Sequence, residues 1–167
     1  MATVKQDINV LEAILPATAY PQFRTVAGTN FPVPSLAYDA STAETAHWTW
    51  RALNYGSGNL TVRIQWYADT ASTGGIVLAA AIAAITPNTD TQDIETDAYA
   101  AESTTADTHL GTTGQRVHEL TITVSNLDSV AAGDWCMLRI TRNVADGSDD
   151  MTGDAHIVGI QIEYSDA

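Results

Sequence analysis

Two segments, Leu60–Tyr67 and His156–Tyr164, alternate apolar and polar residues almost without interruption. Successive side chains of a β-strand point to opposite faces, so this alternation predicts strands with one buried and one exposed face. The pattern returns in three further segments: Ala46–Ala52, Val117–Val124 and Trp135–Arg142. Because turn-forming residues separate these segments, we predict an all-β domain of seven or eight strands, a single jelly roll or β-sandwich.

Two segments leave their secondary structure open. Ile76–Ile85 is rich in Ala, which favours a helix. We nevertheless predict a central strand, because the segment is apolar on both faces, follows glycines and precedes a proline. Pro87–Gly114 is polar and acidic, and a structureless run of that length is uncommon in a compact domain. We expect a short helix or weak strand near Asp93–Ala101, or an exposed functional loop.

The N-terminal part of the chain is punctuated by prolines at positions 16, 21, 32 and 34. Proline lacks a backbone N–H and is disfavoured in helix interiors and central strands. We therefore predict an extended N-terminal arm over residues 1–30, followed by a jelly-roll domain over residues 31–167. The alternative is a first strand that completes the domain's own sheet.

The charge balance excludes several classes of partner. The chain carries 20 acidic residues against 7 basic ones, a net charge of −13, and its basic residues are scattered. Binding to nucleic acid or to an anionic membrane needs clustered Lys and Arg, so neither is expected as a partner. The longest apolar run is too short to span a bilayer. The N-terminus lacks the pattern of a secretory signal, so synthesis and folding in a cytoplasm are expected.

The sequence carries no recognisable catalytic motif, and we predict a protein that is not an enzyme and needs no cofactor. The four histidines are too far apart for a zinc motif, and Cys136 lies in an apolar run where a buried, unreactive thiol is expected. A glycosidase would need two carboxylates on a cleft, which no spacing here indicates. One acidic loop could hold a cation, although a solvated turn is the preferred interpretation; its acids are Asp146, Asp149, Asp150 and Asp154.

The aromatic residues could form a platform for stacking sugars. The alternation assigns Trp48, Trp50 and Trp66 to the core, so packing is the preferred role for these three. Tyr55 lies in a turn and Tyr67 at the end of a strand, which makes them the predicted exposed contacts with a glycan.

Three segments, Tyr55–Ala68, Ala132–Arg142 and Asp149–Tyr164, carry a resemblance to the small decoration, or cement, proteins of tailed-bacteriophage capsids. The resemblance extends over roughly residues 30 to 165 and rests on structural rather than catalytic motifs. It implies a jelly roll on the capsid exterior of a virion, assembled as a homotrimer, with an N-terminal arm that grips the major capsid protein or a neighbouring subunit.

On this resemblance, the expected function is that of a structural virion protein that binds the outside of a capsid and stabilises the shell. The alternative is a carbohydrate-binding module of a phage fibre or an adhesin. The side chains expected to make the arm's contacts are Lys5, Ile8, Val10, Leu11, Ile14 and Leu15.

Overall fold

A computed structural model describes residues 2–70, 73–111 and 113–167. These residues form a short 3₁₀ helix (Val10–Glu12) and ten β-strands. The strands are β1 (Thr3–Ile8), β2 (Gln22–Val26), β3 (Val33–Tyr38), β4 (Thr45–Arg51), β5 (Leu60–Ala68), β6 (Gly75–Ile85), β7 (Ser103–Thr108), β8 (His118–Val124), β9 (Trp135–Arg142) and β10 (Ala155–Ser165). In the described part of the chain, no helix has the length and apolar character needed to cross a bilayer.

The strands form two antiparallel sheets. Sheet A has six strands in the order β2-β3-β10-β5-β8, with β1 paired to a second stretch of β10. Sheet B has four strands in the order β4-β9-β6-β7. The inward side chains of both sheets form one hydrophobic cluster, which includes Leu36, Trp48 and Trp66. This arrangement confirms the predicted all-β sandwich of the jelly-roll class.

Strand β6 is buried on both faces, as predicted for a central strand of Ile76–Ile85. Part of the segment 86–102 lies over the outer face of sheet B. Tyr99 in this segment hydrogen-bonds His47 of β4 at 2.7 Å and lies under the guanidinium of Arg139 of β9. The small alanine side chains of β6 leave room for this layer. The segment itself contains turns, so the helix or strand expected near Asp93–Ala101 is absent; the strand lies later, at Ser103–Thr108.

The structure corrects the predicted arm. Strand β1 pairs with β10 over six residue pairs, from Thr3 opposite Ser165 to Ile8 opposite Ile160. The 3₁₀ helix then turns the chain so that Val10 enters the core, and Ile14 bridges to His47 in sheet B. Burial alternates along β1, which suits an edge strand, and the prolines fall outside that strand. Strands β1 and β2 therefore belong to the domain's own sheet A, and the segment between them packs on the same domain.

Two histidines accept hydrogen bonds from the backbone just after β7. The Leu110 N–H donates to Nε2 of His118 at 3.0 Å, and the Gly111 N–H donates to Nδ1 of His109 at 2.9 Å. The two imidazole rings lie 4.5 Å apart, and Trp66 stacks on His118 at 4.5 Å. Each accepting nitrogen must be unprotonated to receive its bond, so the segment depends on neutral histidines.

We expect the protein to lose stability as the pH falls below about 6.5. Burial lowers the pKa of His47, His118 and His156 below 6.5. The unfolded chain therefore binds more protons than the folded chain in this range, and the free energy of unfolding falls as the pH decreases. Urea denaturation between pH 7.5 and pH 5.5 measures the slope. His118→Gln, checked for folding by circular dichroism, should flatten it; an NMR titration of His118 above pH 6.5 would contradict the explanation.

Candidate functional site

A gap in sheet A creates a groove on its outer face. Strand β3 pairs with β10 as far as Ile157, and β1 begins to pair only at Ile160. The register between β10 and β5 shifts over the same stretch, between Ile157 and Gly159, which marks a β-bulge. Bulges bend a strand and redirect its side chains. Among the described residues, this short stretch of β10 therefore has a partner strand on one side only.

The central groove has a volume of about 310 Å³. Gly159 forms part of its floor, and a Cβ atom at this position would lie 2.7 Å from Oε1 of Gln65. Apart from two isoleucines at the β1–β10 gap, the remaining lining side chains carry hydrogen-bonding groups: Asp7, Arg63, Gln65, Glu119 and Gln161. Neighbouring strands contribute them because every second residue of β1, β5, β8 and β10 points outward. The groove thus offers both donors and acceptors over a recessed floor.

Ion pairs hold several of these side chains in place. Arg63 donates through Nε to Glu163 at 2.8 Å and through Nη1 to Glu119 at 3.0 Å. Lys5 adds a second cation on Glu163, at 2.7 Å. The hydrogen bond from Arg63, and then that from Lys5, lowers the pKa of Glu163, while Glu163 raises the pKa of Arg63. Gln161 is fixed by its amide, which donates to Asp7 at 2.7 Å.

A second groove, about 300 Å³ in volume, lies at the start of β10. Its lining includes Arg24 of β2, His156 and the carboxylates Asp69 and Asp154. The Nδ1 atom of His156 hydrogen-bonds the Ser35 hydroxyl at 2.8 Å. Ser35 is completely buried, so this serine–histidine pair orients the imidazole and cannot present a nucleophile to a substrate.

A third groove, about 280 Å³, lies at the other end of β10 and is lined by Asn59, Thr61, Glu163 and Ser165, among others. The three grooves follow one another along the outer face of sheet A. At about 3.3 Å per residue, the stretch of β10 from His156 to Ser165 is about 30 Å long. The face is therefore long enough to contact several units of a linear polymer.

The two tyrosines predicted to contact a glycan differ in their exposure. Tyr67 is buried, with its hydroxyl 3.1 Å from Nδ1 of His156, which corrects its predicted exposure. It points to the outer face of sheet A, where its ring lies 4.7 Å from that of His156. Tyr55 is half-buried; its hydroxyl donates to the Gly58 carbonyl at 2.6 Å, and its ring lies 5.7 Å from that of Tyr164. Trp48, Trp50 and Trp66 are core residues, as predicted.

The residues assigned to the arm make contacts within their own chain. Lys5 pairs with Glu163 rather than with a foreign carboxylate. Val10 is buried, and Ile8 and Leu15 pack against the core, so they already have a partner surface. Leu11 and Ile14 retain 46% and 47% exposure.

The acidic loop before β10 has structural roles. Asp149 forms a fully buried ion pair with Arg142, at 2.8 Å. Asp150 accepts the N–H of Gly75 at 2.7 Å, and Asp154 accepts the N–H of Ala40 at 3.2 Å. Asp146 accepts the N–H of Ser148 within the loop at 2.9 Å. Over residues 2–70, 73–111 and 113–167, the structure has no group of three or more His, Cys, Asp or Glu arranged to hold a metal ion.

The central groove was not predicted from the sequence, although the sequence assigned some of its lining residues to exposed faces. The alternation of β5 and β10 already assigned Arg63, Gln65 and Gln161 to exposed faces. The contribution of Asp7 could not be found in this way, because residues 1–30 were assigned to an arm. The pairing of β1 with β10 brings Asp7 within 2.7 Å of Gln161.

No protein-family model matches the chain, and no curated protein matches it in sequence. Solved structures share its fold. A carbohydrate-binding module of family 28, specific for non-crystalline cellulose, is 12% identical with a TM-score of 0.55, over 92% of this chain and 89% of that one. The CBM36-1 domain of a multidomain xylanase from the hindgut metagenome of Trinervitermes trinervoides is 12% identical with a TM-score of 0.52, over 98% and 100%.

A third structure is the family 11 carbohydrate-binding module from Clostridium thermocellum, in complex with a β-1,3-1,4-mixed-linked tetrasaccharide. It is 9% identical with a TM-score of 0.51, over 95% of this chain and 94% of that one. At such identities the likeness establishes the fold alone, which this chain shares with these three modules.

These findings correct the predicted function. The prediction of a capsid-decoration protein is wrong, because the structural neighbours are carbohydrate-binding modules. In addition, the arm that was to grip the shell is strand β1 of the chain's own sheet. The carbohydrate-binding alternative agrees better with the structural neighbours.

Proposed function

We propose that this protein binds a neutral polysaccharide along the outer face of sheet A. The observation that carries the proposal is the central groove, where Asp7, Arg63, Gln65 and Gln161 present donors and acceptors above the glycine floor. Sugar hydroxyls both donate and accept hydrogen bonds, so they match such a mixed surface. The fold shared with carbohydrate-binding modules of similar length supports the same assignment.

Several side chains that line the central groove are already ordered. Arg63 is fixed between Glu119 and Glu163, and Gln161 is fixed by Asp7. Side chains that are already ordered lose little conformational entropy when a ligand binds. The amide of Gln65 is exposed and makes no hydrogen bond to another described residue. It is therefore available to a ligand hydroxyl.

Charge favours a neutral ligand. The chain has a net charge of −13, and the central groove contains the carboxylates of Asp7 and Glu119. A polysaccharide that carries uronate or sulfate groups would be repelled at long range. One neighbouring module is described as specific for non-crystalline cellulose, and another is in complex with a β-1,3-1,4-mixed-linked tetrasaccharide. Non-crystalline cellulose and soluble mixed-linked β-glucan are therefore the first ligands to test.

We propose a binding role rather than a catalytic one. Glycoside hydrolysis needs a carboxylic acid whose pKa is raised so that it can protonate the leaving group. Glu163, beside the central groove, has its pKa lowered by Arg63 and Lys5 and stays ionised. The buried Ser35 cannot act as a nucleophile.

We expect the double variant Gln65→Ala/Gln161→Ala to bind mixed-linked β-glucan at least about tenfold more weakly than the natural chain. It removes two side-chain amides, and the net contribution of each hydrogen bond is about 1 kcal/mol, while about 1.4 kcal/mol corresponds to a tenfold change in Kd. Isothermal titration calorimetry and affinity electrophoresis in gels containing the glucan measure the change.

Gln92→Ala is the matched control, because Gln92 is an exposed glutamine in the segment that covers sheet B. It should bind as the natural chain does. Equal binding by all three proteins would exclude the central groove. Failure of the natural chain to bind any neutral glycan on an array would reject the proposed function.

A further inference from the structure

The outer edge of sheet A at strand β2 has the features of an interface. Among the described residues, β2 pairs with β3 on one side and with no strand on the other. All five of its residues are exposed. Large apolar side chains project from the strand and its hairpin, with Phe23 at 46%, Val26 at 44% and Phe31 at 69% exposure. Natural proteins usually protect such edges with charges, bulges or a covering segment.

The charge distribution marks the same segment. The chain has 20 acidic residues, yet none of them falls between residues 13 and 38, where Arg24 is the single charged side chain. Two copies of a protein with a net charge of −13 repel each other over most of their surface. The β2 strand itself adds no carboxylate to that repulsion, and Arg24 lies beside Asp69 and Asp154 in the neighbouring groove. The absence of acidic side chains from the edge strand favours a second copy of the chain as its occupant.

The register of the hairpin shows which backbone groups are free. Thr25 lies opposite Pro34, and proline has no N–H with which to complete a hydrogen-bonded pair. The Thr25–Pro34 pair is therefore the non-bonded type, and so is Phe23 opposite Leu36, two residues away. Consequently the N–H and C=O groups of Phe23 and Thr25 point away from β3, toward the open edge.

We propose that two copies of this chain associate through antiparallel pairing of their β2 strands, with the twofold axis at Thr25. This arrangement lets each Thr25 exchange both backbone hydrogen bonds with its symmetry mate. A register centred on Arg24 instead would place two like charges directly opposite each other, which is destabilising. Centring on Thr25 places Arg24 opposite Val26 of the second copy.

The pairing would join the two copies of sheet A into one continuous sheet. A twofold axis normal to an antiparallel pair keeps both outer faces on the same side, so the grooves beside Arg24 would flank the axis. If the proposed glycan function holds, the pair would bind one polymer through two linked faces, which raises avidity through effective concentration. The association itself does not depend on that function.

The test combines mass measurement with cross-linking. Light scattering after gel filtration should give twice the 17.8 kDa of one chain, falling to one chain on dilution. Thr25→Cys should form a covalent dimer on mild oxidation, because bonded antiparallel pairs have a Cα separation of about 5.5 Å, within the range of a disulfide. The chain's own Cys136 is buried and should not react. Thr25→Pro should give a monomer, since it removes the outward N–H without breaking a β2–β3 bond.

Thr104→Cys and Thr104→Pro are the matched controls, because Thr104 is an exposed residue on β7, the edge strand of sheet B. They should neither cross-link nor change the mass. A natural chain that stays monomeric at every concentration would overturn the proposal, as would a trimer. A dimer that Thr25→Cys does not trap and Thr25→Pro does not dissociate would place the contact elsewhere and would also overturn it. None of these readouts involves a glycan.

Discussion

Asp149→Ala should lower the free energy of unfolding by about 3–5 kcal/mol, the usual cost of leaving a buried charge without its partner. The side chains of Arg142 and Asp149 are both completely buried, and the guanidinium donates two hydrogen bonds to the carboxylate, of 2.8 and 3.1 Å. The same carboxylate accepts the N–H of Val77 in β6 at 2.9 Å. Its removal therefore affects the loop, β9 and β6 together.

Arg142 organises the connection between β9 and β10. Besides Asp149, it donates to the carbonyl oxygens of Tyr38, Met151 and Gly153 at 3.1–3.2 Å. These bonds satisfy the remaining guanidinium donors, which a buried charge requires. Because β10 is paired with three strands of sheet A, a displaced loop would disturb the sheet that carries the grooves.

Urea denaturation followed by circular dichroism measures the effect of Asp149→Ala. Asp146→Ala is the control, since Asp146 lies in the same loop but is exposed and accepts one local bond, from the Ser148 N–H. Its cost should stay below about 1 kcal/mol. Similar small losses in the free energy of unfolding for both variants would mean that water replaces the carboxylate at Arg142. The buried ion pair would then contribute little to stability.

Trp66→Ala should destabilise the protein by about 3–5 kcal/mol, the range found when a large core side chain is truncated. Trp66 is completely buried, and its indole N–H donates to the Asp107 carboxylate of β7 at 2.8 Å. It also stacks on His118 of β8. One side chain thus joins sheet A to sheet B and supports the histidine pair, so its loss removes packing and leaves Asp107 without this donor.

Thermal unfolding followed by far-ultraviolet circular dichroism measures this loss without using tryptophan fluorescence. Trp135→Ala is the matched control, because Trp135 is half-buried on the outer face of sheet B, where truncation leaves a smaller cavity. The melting temperature should fall much further for Trp66→Ala than for Trp135→Ala. The opposite order would contradict the assignment of Trp66 to the core.

Period-two alternation located the strands that have one face in the core. Leu60–Tyr67, Trp135–Arg142 and His156–Tyr164 all lie within strands of the structure, and Ile76–Ile85 forms the doubly buried strand β6. These predictions succeeded because burial of one or both faces imposes its pattern directly on the residue order.

The same rule could not recover the role of the N-terminal residues. Thr3–Ile8 contains only two apolar residues, Val4 and Ile8, so its residue order gives no clear alternation. A short edge strand is stabilised only by the strand it meets, and its partner in β10 lies more than 150 residues away in sequence. The prolines around it suggested an arm, whereas they mark the turns and edges of a strand pair. The central groove was missed for the same reason, because its existence depends on where β1 and β3 stop along β10.

The residue order by itself determined that this chain folds as an all-β sandwich with an acidic, cysteine-poor surface, because side-chain alternation and charge are properties of single segments. Only the tertiary structure decided that β1 closes the domain's own sheet, that Tyr67 is buried, and that Asp7, Arg63, Gln65 and Gln161 converge on one groove. Those features arise from pairing between distant strands, whose register is fixed by contacts that no local segment contains.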